Sequence, residues 1–454
     1  MAPAISRLRR IDGIPEDIAL TRRDAGAWPL LLSCSYSTGI VAFTLQPATD
    51  DPAPHGPAFA FSETGRKPIH MRQRPPLRIA IVAASLRIIG GQAVQAERLL
   101  EAWKGDAEVD AWLVPINPVP ARPFDALLSV KYVRTVITQI WYWPLLVRAL
   151  WRADVVHVFS ASYSSFLLSS LPAIVVARLL GLPVILNYHS GEAPDHLRRS
   201  ALARWIMRDW VDLNVVPSAF LRDVLASFAI PARTVTNTMD ARQFAYRVRD
   251  PLRPRILSTR NFEPIYNVAA VLRAFARIQA HRADATLTLV GSGSQEHALR
   301  ALSTELGLRH VTFAGQVPPS GMSRRYAEAD IYVQTPAVDN MPLSVLEAFA
   351  SGLPVVSTEV GGIPAILTHG IHGLLAPADD DEAVAAHVMA LLESPAHATR
   401  LAAAAHDTCA AYEWPVAREG WLAAYRSVAH APRGGLVFAP TIERDVWQRR
   451  PPHH

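Results

Sequence analysis

Two cysteines in 454 residues, Cys34 and Cys409, exclude a disulfide framework and any four-cysteine metal site. Their scarcity fits a reducing, cytoplasmic setting. Lysine is nearly as scarce. Lys67, Lys104 and Lys131 are the only ones, so every basic group beyond residue 131 is an arginine or a histidine. Long apolar runs are missing too: residues 28–47 are uncharged but diluted by Ser, Thr and Gly, and Arg178 with two prolines interrupts 163–190. The second stretch reads as a buried helix followed by a strand. The opening residues do not read as a secretory signal, lacking a clear charged start, apolar run and cleavage site.

Half of the residues are apolar and 19% are charged, enough for a sizeable core and too long a chain for one ordinary domain. The basic excess is local. Residues 131–210 hold nine Lys/Arg against four acids, an excess equal to the whole chain's +5, and seven of the 11 tryptophans lie between Trp103 and Trp210. No nucleic-acid recognition module accompanies these charges, so nucleic acid is not an expected partner.

The first 76 residues carry ten prolines without sustained periodicity and read as a poorly ordered extension, or as translated sequence upstream of a later start such as Met71. Residues 432–454 read as a flexible tail. Between them, β-branched runs alternate with helical patterns in two series of five. The first series is 77–84, 109–115, 154–159, 183–188 and 212–217; the second is 255–259, 285–291, 311–315, 330–334 and 354–358. Near-continuous apolar strands separated by helices predict an α/β chain with two doubly wound, Rossmann-like domains facing across a cleft. The expected divisions are 77–237, a linker at 238–254, 255–412, and a final helix within 413–431 that crosses back to the first domain. Ligands of such sheets bind at the carboxyl ends of the strands.

Gly90-Gly91 follows the first strand and precedes a helix, where a phosphate could meet unpaired N–H groups; a plain tight turn explains the pair as well. Gly291-Ser292-Gly293 closes a strand, but Glu296 stands where a dinucleotide fingerprint needs its third glycine. That loop reads as lining a nucleotide base or ribose, or as a simple turn. The most informative segment is 339–367, DNMPLSVLEAFASGLPVVSTEVGGIPAIL. Asp339 sits in a loop, Pro342 suits a first helical position, and Glu347 lies in the apolar run VLEAFA, where a solvated acid is out of place. Two such carboxylates can accept sugar or ribose hydroxyls while the helix N-terminus meets a diphosphate. Asp379-Asp380-Asp381 precedes a helix and reads as a cap, not as a metal site.

Segment 339–367 resembles the signature of the retaining GT-B glycosyltransferases of the large group-1 type, including the Gly361-Gly362-Ile363-Pro364 turn. The resemblance covers about 77–430 and is most specific over 255–375. It implies that Asp339 contacts the transferred sugar, that Glu347 holds the ribose, and that Asn340, Met341, Pro342 and Leu343 meet sugar and phosphates. Asp339 is one methylene shorter than the acid usual there. The resemblance also implies a diphosphate-binding arginine, matched by Arg260, and a cleft histidine near the sugar, matched by His189. The lysine usual beside that arginine has no counterpart; Tyr266 and Asn267 lie near its place. Without the resemblance, His189 reads as a packed core residue and Arg260 as a surface ion pair.

The activity implied is transfer of a sugar from a nucleotide-sugar donor to a saccharide or lipid-linked acceptor, with retention and with no metal or other cofactor. Lipopolysaccharide, exopolysaccharide or glycolipid synthesis is the implied setting. An epimerase or phosphorylase of the same fold, or a catalytically idle sugar-nucleotide sensor, are the alternatives. The segment WYWPLLVRALWR, 141–152, admits two readings: core tryptophans with solvated arginines, or peripheral docking on an anionic membrane.

Overall fold

The computed structural model describes residues 75–85, 91–118 and 131–429, together with the backbone of Leu30–Ser37 (β1) and Ile40–Pro47 (β2). The remainder of 1–76, Gly90 and the tail 432–454 lie outside the described residues. β1 and β2 pair antiparallel within a separate compact unit, 1–72, where the sequence reading placed no element.

The second unit holds two parallel six-stranded sheets. The first contains Leu77–Ala83 (β3), Val109–Pro115 (β4), Val155–Ser160 (β5), Val184–Tyr188 (β6), Leu213–Val216 (β7) and Ala232–Thr234 (β8), in the spatial order β4-β3-β5-β6-β7-β8. The second contains Arg255–Ser258 (β9), Thr286–Leu289 (β10), Val311–Phe313 (β11), Ile331–Val333 (β12), Val355–Thr358 (β13) and Leu374–Ala376 (β14), ordered β11-β10-β9-β12-β13-β14. The α/β, doubly wound architecture expected from the sequence is therefore present. Each series of five gains a sixth strand, β8 and β14. Both are three-residue strands at a sheet edge.

Every residue of β5 and β6 is buried, which is why these strands read as continuous apolar runs. One polar side chain in that core, His157 on β5, is fully buried and fully bonded. Asn187 Nδ2 donates to its Nε2 at 3.1 Å, so Nδ1 carries the proton toward the Tyr425 hydroxyl at 2.9 Å. Tyr425 belongs to the helix Trp414–Ala429, which follows the second sheet yet packs on the first. Trp421 of the same helix lies 4.4 Å from the His157 ring, and Arg418 pairs with Asp106 at 2.8 Å. Segment 238–254 is pinned by charge. Asp330, with no exposed surface, receives Arg247 at 2.8 Å and Arg255 at 2.7 Å, while buried Arg249 donates to the carbonyls of Arg247, Ser351 and Tyr326.

Trp421→Ala should therefore destabilise the protein by about 3–5 kcal/mol, the usual cost of emptying a buried aromatic site. A denaturant titration measures it, and a loss below about 1 kcal/mol would show that this helix is not part of the first core.

Candidate active site

The build direction of the second sheet reverses between β9 and β12: β10 and β11 are added on one side of β9, and β12, β13 and β14 on the other. Such reversals open a crevice beyond the carboxyl ends of the two central strands. Arg260 lies just past β9 and Asp339 in the loop after β12, so topology alone brings them together. Arg260 Nη2 donates to Asp339 Oδ2, and each side chain is only 11% exposed. Nη1 reaches Ser344 Oγ at 3.3 Å, the guanidinium carbon lies 4.0 Å from the Tyr266 ring centroid, and Nε is buried without a partner. Burial works against the guanidinium charge, but Asp339 and the surrounding tyrosines outweigh it and hold the Arg260 pKa above its ordinary value.

A polar network that the sequence reading missed underlies this pair. Ser344 Oγ donates to Gln334 Oε1 at 3.1 Å, Gln334 Nε2 donates to Ser357 Oγ at 3.1 Å, and the Tyr332 hydroxyl reaches Gln334 Oε1 at 3.3 Å. Thr259 Oγ1 bonds the Tyr326 hydroxyl at 3.0 Å. A glutamine directly after an apolar strand was the available signal.

Two backbone approaches fix the acidic loop. Gly361 has φ +55°, and a Cβ on it would stand 1.9 Å from the Asp339 carbonyl oxygen; on Gly362 it would stand 1.8 Å from that of Asn340. Gly362 N–H donates to the Asp339 carbonyl at 3.0 Å. Only glycine allows the 361–362 turn to carry the Asp339 loop this closely. Gly291 has φ +150°, and a Cβ there would lie 2.2 Å from the Arg260 carbonyl oxygen. The Ser292 carbonyl accepts from Phe262 N–H at 3.0 Å. Gly291 and Ser292 thus pack against the Arg260 loop.

Asn340, Met341 and Pro342 are buried, and Leu343 opens the helix Leu343–Ala350 with Pro342 as its cap, one residue ahead of the expected helical position. Glu347, on this helix, is 8% exposed. Arg98 reaches it from the first sheet's side, with Nη2 donating to Oε1 at 2.9 Å. A second bridge joins the lobes where Ser218 Oγ donates to Asn340 Oδ1. Gly91 begins the helix Gly91–Trp103 that carries Arg98.

His189 follows β6. The residue is half-buried; its ring stacks on Phe159 at 5.2 Å, and its Nε2 is buried with no hydrogen-bond partner. With Gln95, Asn187, Thr238 and Trp421 it lines a small pocket. Among the described contacts none joins His189 to Asp339, Arg260 or Glu347. Burial pushes its pKa down to about 4 and that of His157 down to about 3, so both rings are neutral at pH 7. Nearby, Asp195 accepts from the Tyr163 hydroxyl at 2.6 Å and pairs with Arg199, while His196 is buried against the Tyr188 hydroxyl at 2.8 Å.

Each acid of the 379–381 run has a structural partner. Asp379 accepts from Asn267 at 2.7 Å, Asp380 caps Asp381–Glu393 through Ala383 N–H at 2.8 Å, and Asp381 pairs with Arg273 and Arg277. Among the described residues no three His, Cys, Asp or Glu side chains group to hold a metal ion. The helix Lys131–Leu150 exposes Val136, Ile140, Trp143 and Val147, spaced along one face, and Trp151 just beyond is 76% exposed. The reading of these tryptophans as core is corrected for Trp143 and Trp151; Tyr142 is the buried aromatic there. Among the described residues no helix is long and apolar enough to cross a membrane.

Residues 243–408 match the family model of glycosyl transferases group 1, and residues 89–243 match that of glycosyltransferase family 4. The sulfoquinovosyl transferase of Arabidopsis thaliana is 26% identical over 293 residues, 59% of this chain and 56% of that relative. The chain thus spans little more than half of that relative's length. The sucrose-phosphate synthase of Thermosynechococcus elongatus superposes with a TM-score of 0.63 at 20% identity, covering 78% of this chain and all of that one. The Anabaena HepE protein in complex with UDP-glucose gives 0.62 at 17% identity, over 77% of this chain and 99% of that one. This chain belongs to the group-1 glycosyltransferases, with their GT-B fold.

Stability should depend on the two neutral histidines. Their folded pKa values lie below the unfolded value of about 6.5, so the unfolded chain binds more protons as pH falls through the interval from about 6.5 to about 4. Their contribution is complete above pH 6.5 and falls, by up to about 1.4 kcal/mol per pH unit for each ring, on acidification. Chemical denaturation from pH 7 to 4.5 should show a shallower slope for His189→Gln than for the wild type; parallel slopes would refute the assignment.

Proposed function

We propose that this protein transfers a sugar from a nucleotide-sugar donor to a saccharide or lipid-linked acceptor, with retention of anomeric configuration and without a metal. The observation that carries this reading is the buried Arg260–Asp339 pair at the strand-order reversal, with Glu347 further along the adjoining helix. A diphosphate meets Arg260 and the N-terminus of Leu343–Ala350, where negative charge develops as the sugar departs. Glu347 accepts the two ribose hydroxyls, and Asp339 accepts from a hydroxyl of the sugar. Gly291 and Ser292 border the nucleoside, and Gly91, at the start of the helix that carries Arg98, meets the phosphates from the opposite lobe. The neutral His189 serves the sugar as a hydrogen-bonding group, not as a cation. The leaving phosphate takes the acceptor proton on the same face. The UDP-glucose bound by the structurally similar HepE protein supports the donor class.

A thermal-shift panel of UDP, GDP, ADP and their sugars should raise the melting temperature for one base, because a ligand that binds only the folded state stabilises it by mass action. With that donor, Glu347→Ala should weaken binding at least tenfold, and Asp339→Ala should mainly slow nucleotide release on turnover. Wild-type rates in both variants would refute the site. Conversion of the sugar without net nucleotide release would favour an epimerase instead.

The first lobe also docks on an anionic membrane in this reading. The exposed stripe Val136, Ile140, Trp143, Val147 supplies apolar anchorage, and the arginine excess of 131–210 supplies the charge. Flotation with liposomes containing anionic lipid should recover the protein at low salt, and Trp143→Ala with Trp151→Ala should abolish recovery. Equal flotation with neutral liposomes at high salt would contradict it.

A further inference from the structure

Glu347 belongs to the second lobe, yet the cation beside it comes from the first. Arg98 projects from Gly91–Trp103, and its Nη2 donates to Glu347 Oε1 at 2.9 Å, with the two side chains 18% and 11% exposed. Its other terminal nitrogen, Nη1, is buried and has no hydrogen-bond partner. The helix is itself anchored at the junction of the lobes. Gln95 Nε2 donates to the Thr238 carbonyl at 3.0 Å, and Thr238 N–H donates back to Gln95 Oε1 at 3.1 Å. Arg98 is therefore held across the lobe boundary with donor capacity to spare.

A guanidinium N–H shielded from water calls for an acceptor, and the described residues offer none. A nucleoside diphosphate sugar, with its ribose at Glu347 and its transferred sugar at Asp339, places anionic oxygens between those two acids. Arg260 meets them with only part of its capacity, since one N–H of Nη2 is engaged by Asp339 and one of Nη1 by Ser344, while Nε has no partner. No lysine follows residue 131 to share the charge. We infer that Arg98 is the second cation of the donor site: Nη2 holds Glu347 in place for the ribose, and Nη1 donates to an anionic oxygen of the bound diphosphate. This rests on the reading of 339–347 as the donor site. Because Arg98 and Glu347 lie in different lobes, the donor then completes a bridge between them, and binding is linked to their apposition.

The test compares a nucleoside diphosphate with its own nucleoside. UDP, GDP and ADP are titrated calorimetrically into the full chain, and the one bound is carried forward with the matching nucleoside, followed by ligand-observed NMR where binding is weak. Arg98→Gln should lose about tenfold or more in affinity for the diphosphate and less than about threefold for the nucleoside, since hydrogen bonds to ionised oxygens are the strong ones. Arg98→Lys should recover part of the loss, because it restores charge without the fork. Melting curves without ligand report folding, and if Arg98→Gln does not fold, the same comparison is read from Arg98→Lys. Equal losses for both ligands would reduce Arg98 to a brace for Glu347 and overturn the inference. Tighter binding would make Arg98 a plug that the ribose must displace, which overturns it equally. If the wild type binds none of the three diphosphates, the donor-site reading fails and this inference falls with it. Wild-type binding with no effect of either variant refutes Arg98 alone.

Discussion

An arginine and an aspartate, each nearly withdrawn from solvent, face one another between Arg260 and Asp339, and that pairing constrains the whole second lobe. Removing two charges from water costs several kcal/mol for each, and attraction repays it only where geometry is held and the remaining donors are satisfied. The surroundings meet that condition nearly completely. Tyr266 offers a ring face to the guanidinium, Ser344 takes a second N–H, and the hydroxyls of Thr259, Tyr326 and Tyr332 are bonded together beneath. Only Nε is left over. Side chains so arranged are already oriented by their partners.

The pair also explains the glycines. The aspartate can be held against Arg260 only if the 361–362 turn lies directly behind its backbone, and side chains there would collide with carbonyl oxygens at under 2 Å. Contacts from the first lobe complete the enclosure. Ser218 reaches Asn340, Arg98 reaches Glu347, and Gly191 approaches the main chain of Asp339 and Asn340 so closely that an added Cβ would meet Val338 Cγ1 at 3.0 Å. The acidic loop is thus gripped from both sides.

Much of this was legible in the sequence because the chain states it locally. β3, β5 and β6 are apolar runs with few interruptions, and Glu347 announced its burial by sitting in VLEAFA. The two added edge strands, Ala232–Thr234 and Leu374–Ala376, were not legible, since Ala-Arg-Thr carries no apolar run and Leu-Leu-Ala is cut off at once by Pro377. Arg98 was hidden for a different reason. It lies among the charged residues of AERLLEAW, looks like part of a solvated face, and meets its partner 249 positions away. The tryptophans of 141–151 show the converse. Composition marked them as a cluster, but whether a helix face is covered depends on neighbours that the pattern does not specify.

The helix Trp414–Ala429 has a consequence for synthesis. On a ribosome the first sheet emerges whole, yet its core still lacks Trp421 and Tyr425, and His157 has no hydroxyl to meet, until the entire second sheet has been translated. The first lobe must wait in an unfinished state, with apolar surface open, for a piece of chain made last. The packed core of the first lobe is therefore complete only once Trp414–Ala429, the last element described, has been made.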